Sequence, residues 1–365
     1  MQKDTLDLSK RLISISSVKD DTKSLENVLG VVEKLKIDTK VAGFSKNNIP
    51  SLLYYNTPTL PKKFKVILNA HLDVVPAKQE QFKPKVVGDK LFGRGAIDMK
   101  AATAVEILVY KELAKKVNYP LGLQLVTDEE VGGFDGTKYQ TEKGVRADFV
   151  IAGEQTDLNI SNKAKGIVWA KISCRGKSAH GAHPWDGENA VEKMNKFVCE
   201  KLYKAFPIPA KEAWVTTANL AKIESSNSAF NKVPDDCTIS VDFRYVPEEK
   251  SQIVRKIKSI VPKGFALEVV VNEPSQYTPQ NNPFAKNLMQ KIQEAIGKKA
   301  KFISDHGASD IRYYDGVSVP GVCFGPVGGG LHTDNEWVSI SSLEEYYKIL
   351  KDFLLGVPGE GVEPS

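Results

Sequence analysis

Histidine and cysteine are both scarce in this chain, with five of the first and four of the second in 365 residues. The cysteines, Cys174, Cys199, Cys237 and Cys323, stand far apart, and none belongs to a Cys-x-x-Cys pair. That spacing speaks against a thiolate zinc site, and a chain of this length needs no disulfide scaffold, so a reducing, cytoplasmic setting is expected. Long apolar runs are missing too. None approaches the roughly 20 residues that span a bilayer, and the opening Met1-Gln-Lys-Asp-Thr-Leu-Asp-Leu lacks the apolar stretch of a signal peptide, so no membrane partner is expected. Charge of one sign is lacking as well: the formal net charge is +5 and scattered. The Lys-rich pieces Pro61-Lys62-Lys63 and Gly297-Lys298-Lys299 come without zinc-finger spacing or aromatic platforms. Solvated lysines account for them, and no nucleic-acid partner is expected.

What is present is an ordinary globular composition, 41% hydrophobic and 26% charged, in a chain long enough for about two domains. Lys10 to Ser16 and Leu25 to Leu35 read as helical or mixed segments. The first clear strand is Phe64-Lys-Val-Ile-Leu-Asn-Ala70, rich in β-branched and apolar residues and ending at His71-Leu-Asp73. A helix is expected over Ala101 to Lys116. Two further compact strands follow: Leu121 to Thr127, ending at Asp128-Glu129-Glu130-Val-Gly-Gly133, and Ala147 to Ala152, ending at Gly153-Glu154. Short apolar strands alternating with helices predict an α/β fold, a central mostly parallel or mixed sheet with helices on both faces. In each case the polar residues of interest stand just beyond the strand's C-terminal end, where open α/β sheets gather their ligands.

The middle of the chain has another pattern. Strands over Gly166 to Cys174, Trp214 to Ile223, Cys237 to Tyr245 and Phe265 to Val271, with helices over Asn189 to Tyr203 and Glu248 to Ile260, run β-α-β-β-α-β. That order is the ferredoxin-like split motif. A Pro/Gln/Asn-rich stretch from Glu273 to Pro283 marks its end. The expected organisation is therefore a first catalytic part over 1–164, an inserted α+β domain over 165–273 and a second catalytic part over 274–365. A helix over Phe284 to Gly297, a strand over Gly321 to Phe324 and a helix over Ser342 to Leu354 complete it. Gly356 to Ser365 reads as a loose tail.

His71, Asp73, Asp98, Glu129, Glu130, Glu154 and His332 make the strongest chemical group. Imidazole nitrogen and carboxylate oxygen suit Zn²⁺, and also Mn²⁺ or Co²⁺. A pair of ions needs a bridging oxygen ligand, and Asp98, in the glycine-preceded loop Gly93-Arg-Gly-Ala-Ile-Asp98, is a candidate. An ion-bound water needs a base that is not itself a ligand, which assigns Glu129 to the proton and Glu130 to the metal. Taken alone, Asp128-Glu129-Glu130 could be simply an acidic turn. Its place after an apolar strand, with Gly132-Gly133 to permit a tight loop, favours function. Asp73, two residues beyond His71, could hydrogen-bond the ring's other nitrogen.

These stretches resemble the M20-type family of dinuclear zinc metallopeptidases and deacylases, which includes acetylornithine deacetylase, succinyl-diaminopimelate desuccinylase and carboxypeptidase G. The likeness rests on Asn69-Ala-His71-Leu-Asp73-Val-Val-Pro76, Gly93-Arg-Gly-Ala-Ile-Asp98-Met-Lys100 and Thr127-Asp-Glu129-Glu130-Val-Gly-Gly133. Gly176-Lys-Ser-Ala-His180-Gly-Ala-His-Pro184, Asn231-Lys-Val-Pro234, Asp242-Phe-Arg244 and Gly325-Pro-Val-Gly-Gly-Gly-Leu-His332-Thr-Asp-Asn-Glu336 extend it over nearly the whole chain. The resemblance implies one zinc on His71, Asp98 and Glu154 and another on Asp98, Glu130 and His332, with Co²⁺ or Mn²⁺ as substitutes. It implies Glu129 as general base and a cis peptide after Asp98. His180 on the inserted domain would stabilise an oxyanion, assisted by Asn231, and Arg244 would bind a substrate carboxylate. The plainer reading of Arg244, as a strand residue on a wet face, carries less weight.

The implied activity is hydrolysis of the amide bond of a small N-acyl amino acid or short peptide, with a dipeptidase or carboxypeptidase as the variant. A homodimer through the inserted domain is the partner to expect, besides the substrate. A non-catalytic binding protein keeping the fold is the reading of another class, and the intact set of ligands and base weighs against it. One departure bears on substrate: desuccinylase-type relatives usually carry Gly-Gly-Thr-Ser-Asp where this chain has His306-Gly-Ala-Ser-Asp310. The role of His306, and of His183, stays open.

Overall fold

The protein is described by a computed structural model over residues 2–297 and 300–357. The chain divides into two compact units. One comprises the residues up to Lys163, Tyr277–Ser304 and those from Ser309 onward; the other is Ala164–Gln276 with Asp305–Ala308.

The first unit is built on a mixed sheet. Its centre is parallel: Phe64–His71 lies between Leu121–Val126 and Ala147–Ala152, and Gly321–Cys323 continues on the far side of Ala147–Ala152. The outer strands Ile49–Tyr55 and Lys40–Lys46 add antiparallel beyond Leu121–Val126. The central strands read as unbroken apolar runs because both of their faces are covered. Val66, Leu68 and Ala70 pack in the same cluster as residues of the helices Ala101–Leu113, Pro283–Ile296 and Ile340–Leu355. Ile67, Val150 and Ala152 point the other way, toward Ile311 and Tyr314. The α/β fold with a mixed sheet is the one the strand pattern predicts.

Several boundaries differ from the sequence reading. The first helix is Gln2–Ile13 rather than Lys10 to Ser16, and the second is Thr22–Glu33. The hairpin of Lys40–Lys46 and Ile49–Tyr55 was not expected. Its outer strand is largely exposed and carries no clear apolar alternation. Asn47 (φ 50°) and Asn48 (φ 63°) make the two-residue turn that joins the strands, the left-handed geometry that hairpin loops favour. The helix expected from Glu248 is a short turn at Pro247–Glu249 followed by Ile253–Ile260. The helix expected over Ala101 to Lys116 stops at Leu113. Lys298, Lys299 and the tail from 358 onward lie outside the described residues. No helix among the described residues is long and apolar enough to cross a membrane.

The second unit carries a four-stranded antiparallel sheet in the order Thr217–Glu224, Asp236–Tyr245, Gly166–Arg175, Phe265–Glu273. This is the spatial order that the β-α-β-β-α-β sequence requires. Val168, Ala170, Ile172 and Cys174 pack with Met194, Phe197, Ile253 and Ile257, so both helices cover one face. Ile167, Trp169 and Lys171 alternate onto the other face, where Trp169 is 42% exposed.

Candidate metal centre

The first unit folds so that five separate segments deliver donors to one place. Phe64–His71 ends on His71, which is buried with its Nε2 2.9 Å from Asp98 Oδ1. The loop before the Ala101–Leu113 helix presents Asp98, and its peptide to Met99 is cis, as the resemblance implies. His332, in a glycine-rich loop and itself at φ 59°, puts Nε2 3.0 Å from the other oxygen of the same carboxylate. Glu130 Oε2 lies 3.2 Å from His332 Nε2, and Glu154 Oε1 lies 3.8 Å from His71 Nε2. Two triads result, His71–Asp98–Glu154 and Asp98–Glu130–His332, each with donor atoms within 4.8 Å of one another and sharing Asp98.

The turn that carries Glu129 and Glu130 is held from two sides. Asp73 Oδ1 accepts from Glu129 N at 3.2 Å, and Asp73 Oδ2 accepts from Glu130 N at 3.0 Å. From the opposite side, Arg312 Nη2 donates to the Gly132 carbonyl at 2.6 Å, and the Tyr313 hydroxyl donates to that same oxygen. Gly132 (φ 113°) and Gly133 (φ 63°) take left-handed conformations that a side chain would strain. The two glycines thus close the loop as the sequence suggested. Asp73 stands beside the His71 ring. The atom nearest His71 Nδ1 is the Asp73 backbone carbonyl, at 3.1 Å, with the carboxylate at 3.5 Å. The carboxylate's hydrogen bonds go chiefly to the Glu129–Glu130 backbone.

Electrostatics bear on whether cations fit here. Burial pushes the Glu129 carboxyl up to about 7 and the Glu130 carboxyl up to about 8, with the Asp98 charge adding to both. Burial likewise raises Glu154 well above the ordinary carboxylate range. Burial lowers His71, but its hydrogen bonds with Asp73 and Asp98 outweigh that and raise it. Asp98 is driven down despite burial, by hydrogen bonds from His332 and His71. Converging carboxylates are therefore short of positive charge, with two imidazoles and Arg312 to balance them. Divalent cations would supply what is missing, and oxygen and imidazole donors are the set that Zn²⁺, Mn²⁺ and Co²⁺ accept. The donors fit the ions.

Sequence reasoning quoted Arg94 and Glu336 within motifs without giving them work. Arg94 Nη1 donates to Glu336 Oε2 at 2.5 Å, and both side chains are buried. Glu336 Oε1 accepts from the backbone N–H groups of Ile97 (3.0 Å) and Asp98 (3.2 Å). Arg94 Nη2 also reaches the carbonyl of Thr333, next to His332, at 3.2 Å. The pair ties the Asp98 loop to the His332 loop. Arg312 and Asp310 had no role assigned either. Their only signal was the polar segment following His306, which reads as a surface loop until it is seen behind the Glu129 turn.

The remaining candidates belong to the second unit. His180 is exposed, its Nδ1 accepting from Ala182 N at 3.1 Å. Its loop is joined to the loop of Asn231, where Gly181 N donates to the Asn231 carbonyl at 2.7 Å. Arg244 is half-buried on the Asp236–Tyr245 strand, its Nε on the Asp242 carboxylate at 2.9 and 3.1 Å. His306 puts Nε2 3.3 Å from Glu212, with its ring 5.5 Å from that of Trp214. The rings of His183 and Trp185 lie 5.6 Å apart.

Comparison with known proteins bears on the whole arrangement. The succinyl-diaminopimelate desuccinylase of Variovorax paradoxus (strain S110) is 26% identical, over 95% of this chain and 96% of its own length. Among solved structures, the aminopeptidase PepT of Bacillus cereus ATCC 10987 is similar with a TM-score of 0.80 at 19% identity, covering 97% of this chain and 98% of that one. The YXEP protein of Bacillus subtilis, a dinuclear metal binding peptidase from the M20 family, is similar with a TM-score of 0.69 at 12% identity, covering 97% of each chain. At such identities the structural likeness speaks for the fold alone. Residues 67–356 match the family described as Peptidase family M20/M25/M40. That stretch runs from the strand ending on His71 into the last helix and takes in every donor of both triads, so the chain belongs to Peptidase family M20/M25/M40 and is a hydrolase of amide bonds.

Proposed function

We propose that this enzyme is a di-zinc amidohydrolase acting on a small N-acyl amino acid or short peptide that bears a free carboxylate. The observation that carries the reading is the sharing of Asp98 by two triads of imidazole and carboxylate donors. His71, Asp98 and Glu154 would hold one ion, and Asp98, Glu130 and His332 the other. Bound there, the ions would polarise the scissile carbonyl and make a water acidic enough to ionise near neutral pH.

The rest of the chemistry belongs to the chain. Glu129 takes the proton of the attacking water and hands it to the leaving amine. It is a member of neither triad, so its carboxylate is free to accept a proton and to release it again. Asp73, Arg312 and Tyr313 hold the turn so that this carboxylate does not swing away. His180 donates a hydrogen bond to the developing oxyanion, with Asn231 beside it. Arg244 receives the substrate carboxylate, for which a guanidinium fork is suited.

A metallo-dipeptidase or carboxypeptidase is the second reading. Ala308, which lacks the hydroxyl that desuccinylase-type relatives carry in the segment His306-Gly-Ala-Ser-Asp310, speaks against a succinyl-diaminopimelate substrate in either reading. The second unit is read as an inserted lid and dimerisation domain over 165–273. The Thr217–Glu224 strand lies at an edge of its sheet, and an edge offers unpaired backbone groups to a second copy. A cytoplasmic setting goes with four cysteines that stand far apart in the sequence.

The test is elemental analysis of the full-length protein with a panel of N-acetyl amino acids and dipeptides, assayed with and without a chelator. Two ions per chain and chelator-sensitive cleavage that zinc restores are expected. A fully loaded protein that cleaves no member of the panel, or cleavage indifferent to the chelator, would overturn the reading.

A further inference from the structure

The link between the first two helices passes against the stretch that carries Asp73. Ser17, in that link, is fully buried. Its hydroxyl donates to the Leu72 carbonyl at 2.5 Å, and its own carbonyl accepts from Val74 N at 3.0 Å. These bonds fall on the two peptide units that flank Asp73. The Leu72–Asp73 unit is held by its C=O and the Asp73–Val74 unit by its N–H. The Phe64–His71 strand has already ended here, and Ser17 carries the anchoring of the backbone beyond it.

The pinned stretch touches donors of both triads. At the other end of the Asp73–Val74 peptide, the Asp73 carbonyl lies 3.1 Å from His71 Nδ1. A carbonyl can only accept, so the ring donates from Nδ1 and offers the lone pair of Nε2 toward the Asp98 side. The Asp73 carboxylate accepts from Glu129 N and Glu130 N. Val75 N, next along, donates to Glu130 Oε1 at 3.3 Å. Fixing the peptides around Asp73 therefore fixes an imidazole, a carboxylate donor and the turn of Glu129 together.

Ser17 is itself gripped from the Asp98 side. Lys100 Nζ donates to the Ile15 carbonyl at 2.7 Å, and Ser17 N donates to the same oxygen at 3.0 Å. Lys100 is fully buried, two residues after Asp98, and its stem fills the space that a Gly95 side chain would need, beside Val74. The link is thus tied to the Asp98 loop on one side and to the Asp73 stretch on the other.

We propose that Ser17 is a positioning residue of the metal centre, setting the His71 ring and the Glu129–Glu130 turn through the two peptides around Asp73. The proposal rests on the di-zinc reading above and brings into it a segment that supplies no ligand. Ser17 acts through the backbone of the donors and touches no substrate, so its loss changes metal affinity and kcat rather than KM.

The test uses the full-length protein and three variants: Ser17→Ala, Ser17→Thr and Ser9→Ala. The last removes a buried hydroxyl-to-carbonyl bond of the same kind, Ser9 to Thr5 at 2.7 Å, inside the first helix. Zinc affinity is measured by competition with a chromogenic chelator. Urea midpoints are recorded, with kcat and KM at saturating zinc for a panel member that wild type cleaves. Ser17→Ala should lose about 3- to 10-fold in zinc affinity and in kcat, the range for one neutral hydrogen bond, with KM unchanged. Ser17→Thr should regain most of both, while Ser9→Ala should move the urea midpoint alone. Should Ser17→Ala fail to fold, Ser17→Cys, close in size and a weaker donor, should show part of the same loss. If the Ser17 variants lower the midpoint yet keep wild-type zinc affinity and kcat, Ser17 serves only the fold and the di-zinc reading stands without it. Equal zinc losses in Ser17→Ala and Ser9→Ala would also overturn the proposal, since a loosened helix would then be the cause. A wild type that takes up no zinc sinks the di-zinc reading itself, and this proposal with it.

Discussion

The Asp73 carboxylate accepts the backbone N–H of Glu130 at 3.0 Å, and the carbonyl of Asp73 lies 3.1 Å from Nδ1 of His71. One residue thus orients a candidate donor from each triad. Through Glu129 N, at 3.2 Å, it also holds the residue proposed as the base. Asp73→Asn keeps the shape but exchanges an acceptor oxygen for an amino group facing those N–H donors. Zinc affinity or kcat should fall by about 10- to 100-fold, as for other groups that orient metal ligands. A zinc titration and a steady-state assay measure the two, and wild-type values in both would remove Asp73 from this role.

Glu129→Gln should leave metal content unchanged while kcat drops by about 10²- to 10⁴-fold, the contribution of a positioned general base. The pairing of readouts matters, because loss of metal along with activity would instead make Glu129 a ligand.

His332→Ala removes a donor from one triad only, and elemental analysis should find the variant with one ion where wild type has two. Asp98→Ala takes the shared oxygens from both triads and should empty both positions. Equal losses in the two variants would contradict the division of donors between two ions.

Arg94→Met strands the Glu336 carboxylate in the interior, where burial already raises its pKa despite the Arg94 charge and the Ile97 N–H. Breaking one side of a buried pair costs about 3–5 kcal/mol, visible as a lower urea midpoint. Zinc retention should weaken too, because the Thr333 carbonyl loses its donor and the Glu336 carboxylate that holds Asp98 N loses the cation that fixes it. A variant within about 1 kcal/mol of wild type would argue that water reaches Glu336 in solution.

Acid stability should depend on Glu112, which joins the Ala101–Leu113 helix to the last helix. Lys351 (2.7 Å) and the Tyr347 hydroxyl (2.5 Å) bind its carboxylate and bring its pKa down to about 2. A carboxylate depressed in the folded state stabilises fully above its unfolded pKa of about 4.3 and ceases to do so as pH falls toward the folded value. Glu112→Gln should accordingly be less stable than wild type at neutral pH, with the gap in urea midpoint shrinking between about pH 5 and 3. A gap independent of pH would make the interaction one of packing alone.

The sequence reading was strongest where a signal is local and weakest where it depends on surroundings. Buried parallel strands announce themselves as short apolar runs, and Phe64–His71, Leu121–Val126 and Ala147–Ala152 lie within a residue of their expected bounds. Lys40–Lys46 escaped because an exposed edge strand carries no such run. The work of Arg94, Glu336 and Arg312 escaped for another reason: each acts on backbone atoms of a distant loop, and a backbone acceptor leaves no trace in residue identity.

Residue chemistry and spacing, by themselves, determined that oxygen and imidazole donors stand at the ends of strands in an α/β sheet, since apolar runs and glycine-bounded turns are local properties of the chain. Only the tertiary structure decided which donors meet. Asp98 and His332 are 234 residues apart, and nothing local to either says that one carboxylate will offer an oxygen to each of two imidazoles. That depends on how parallel strands align side by side, which long-range packing and backbone pairing set.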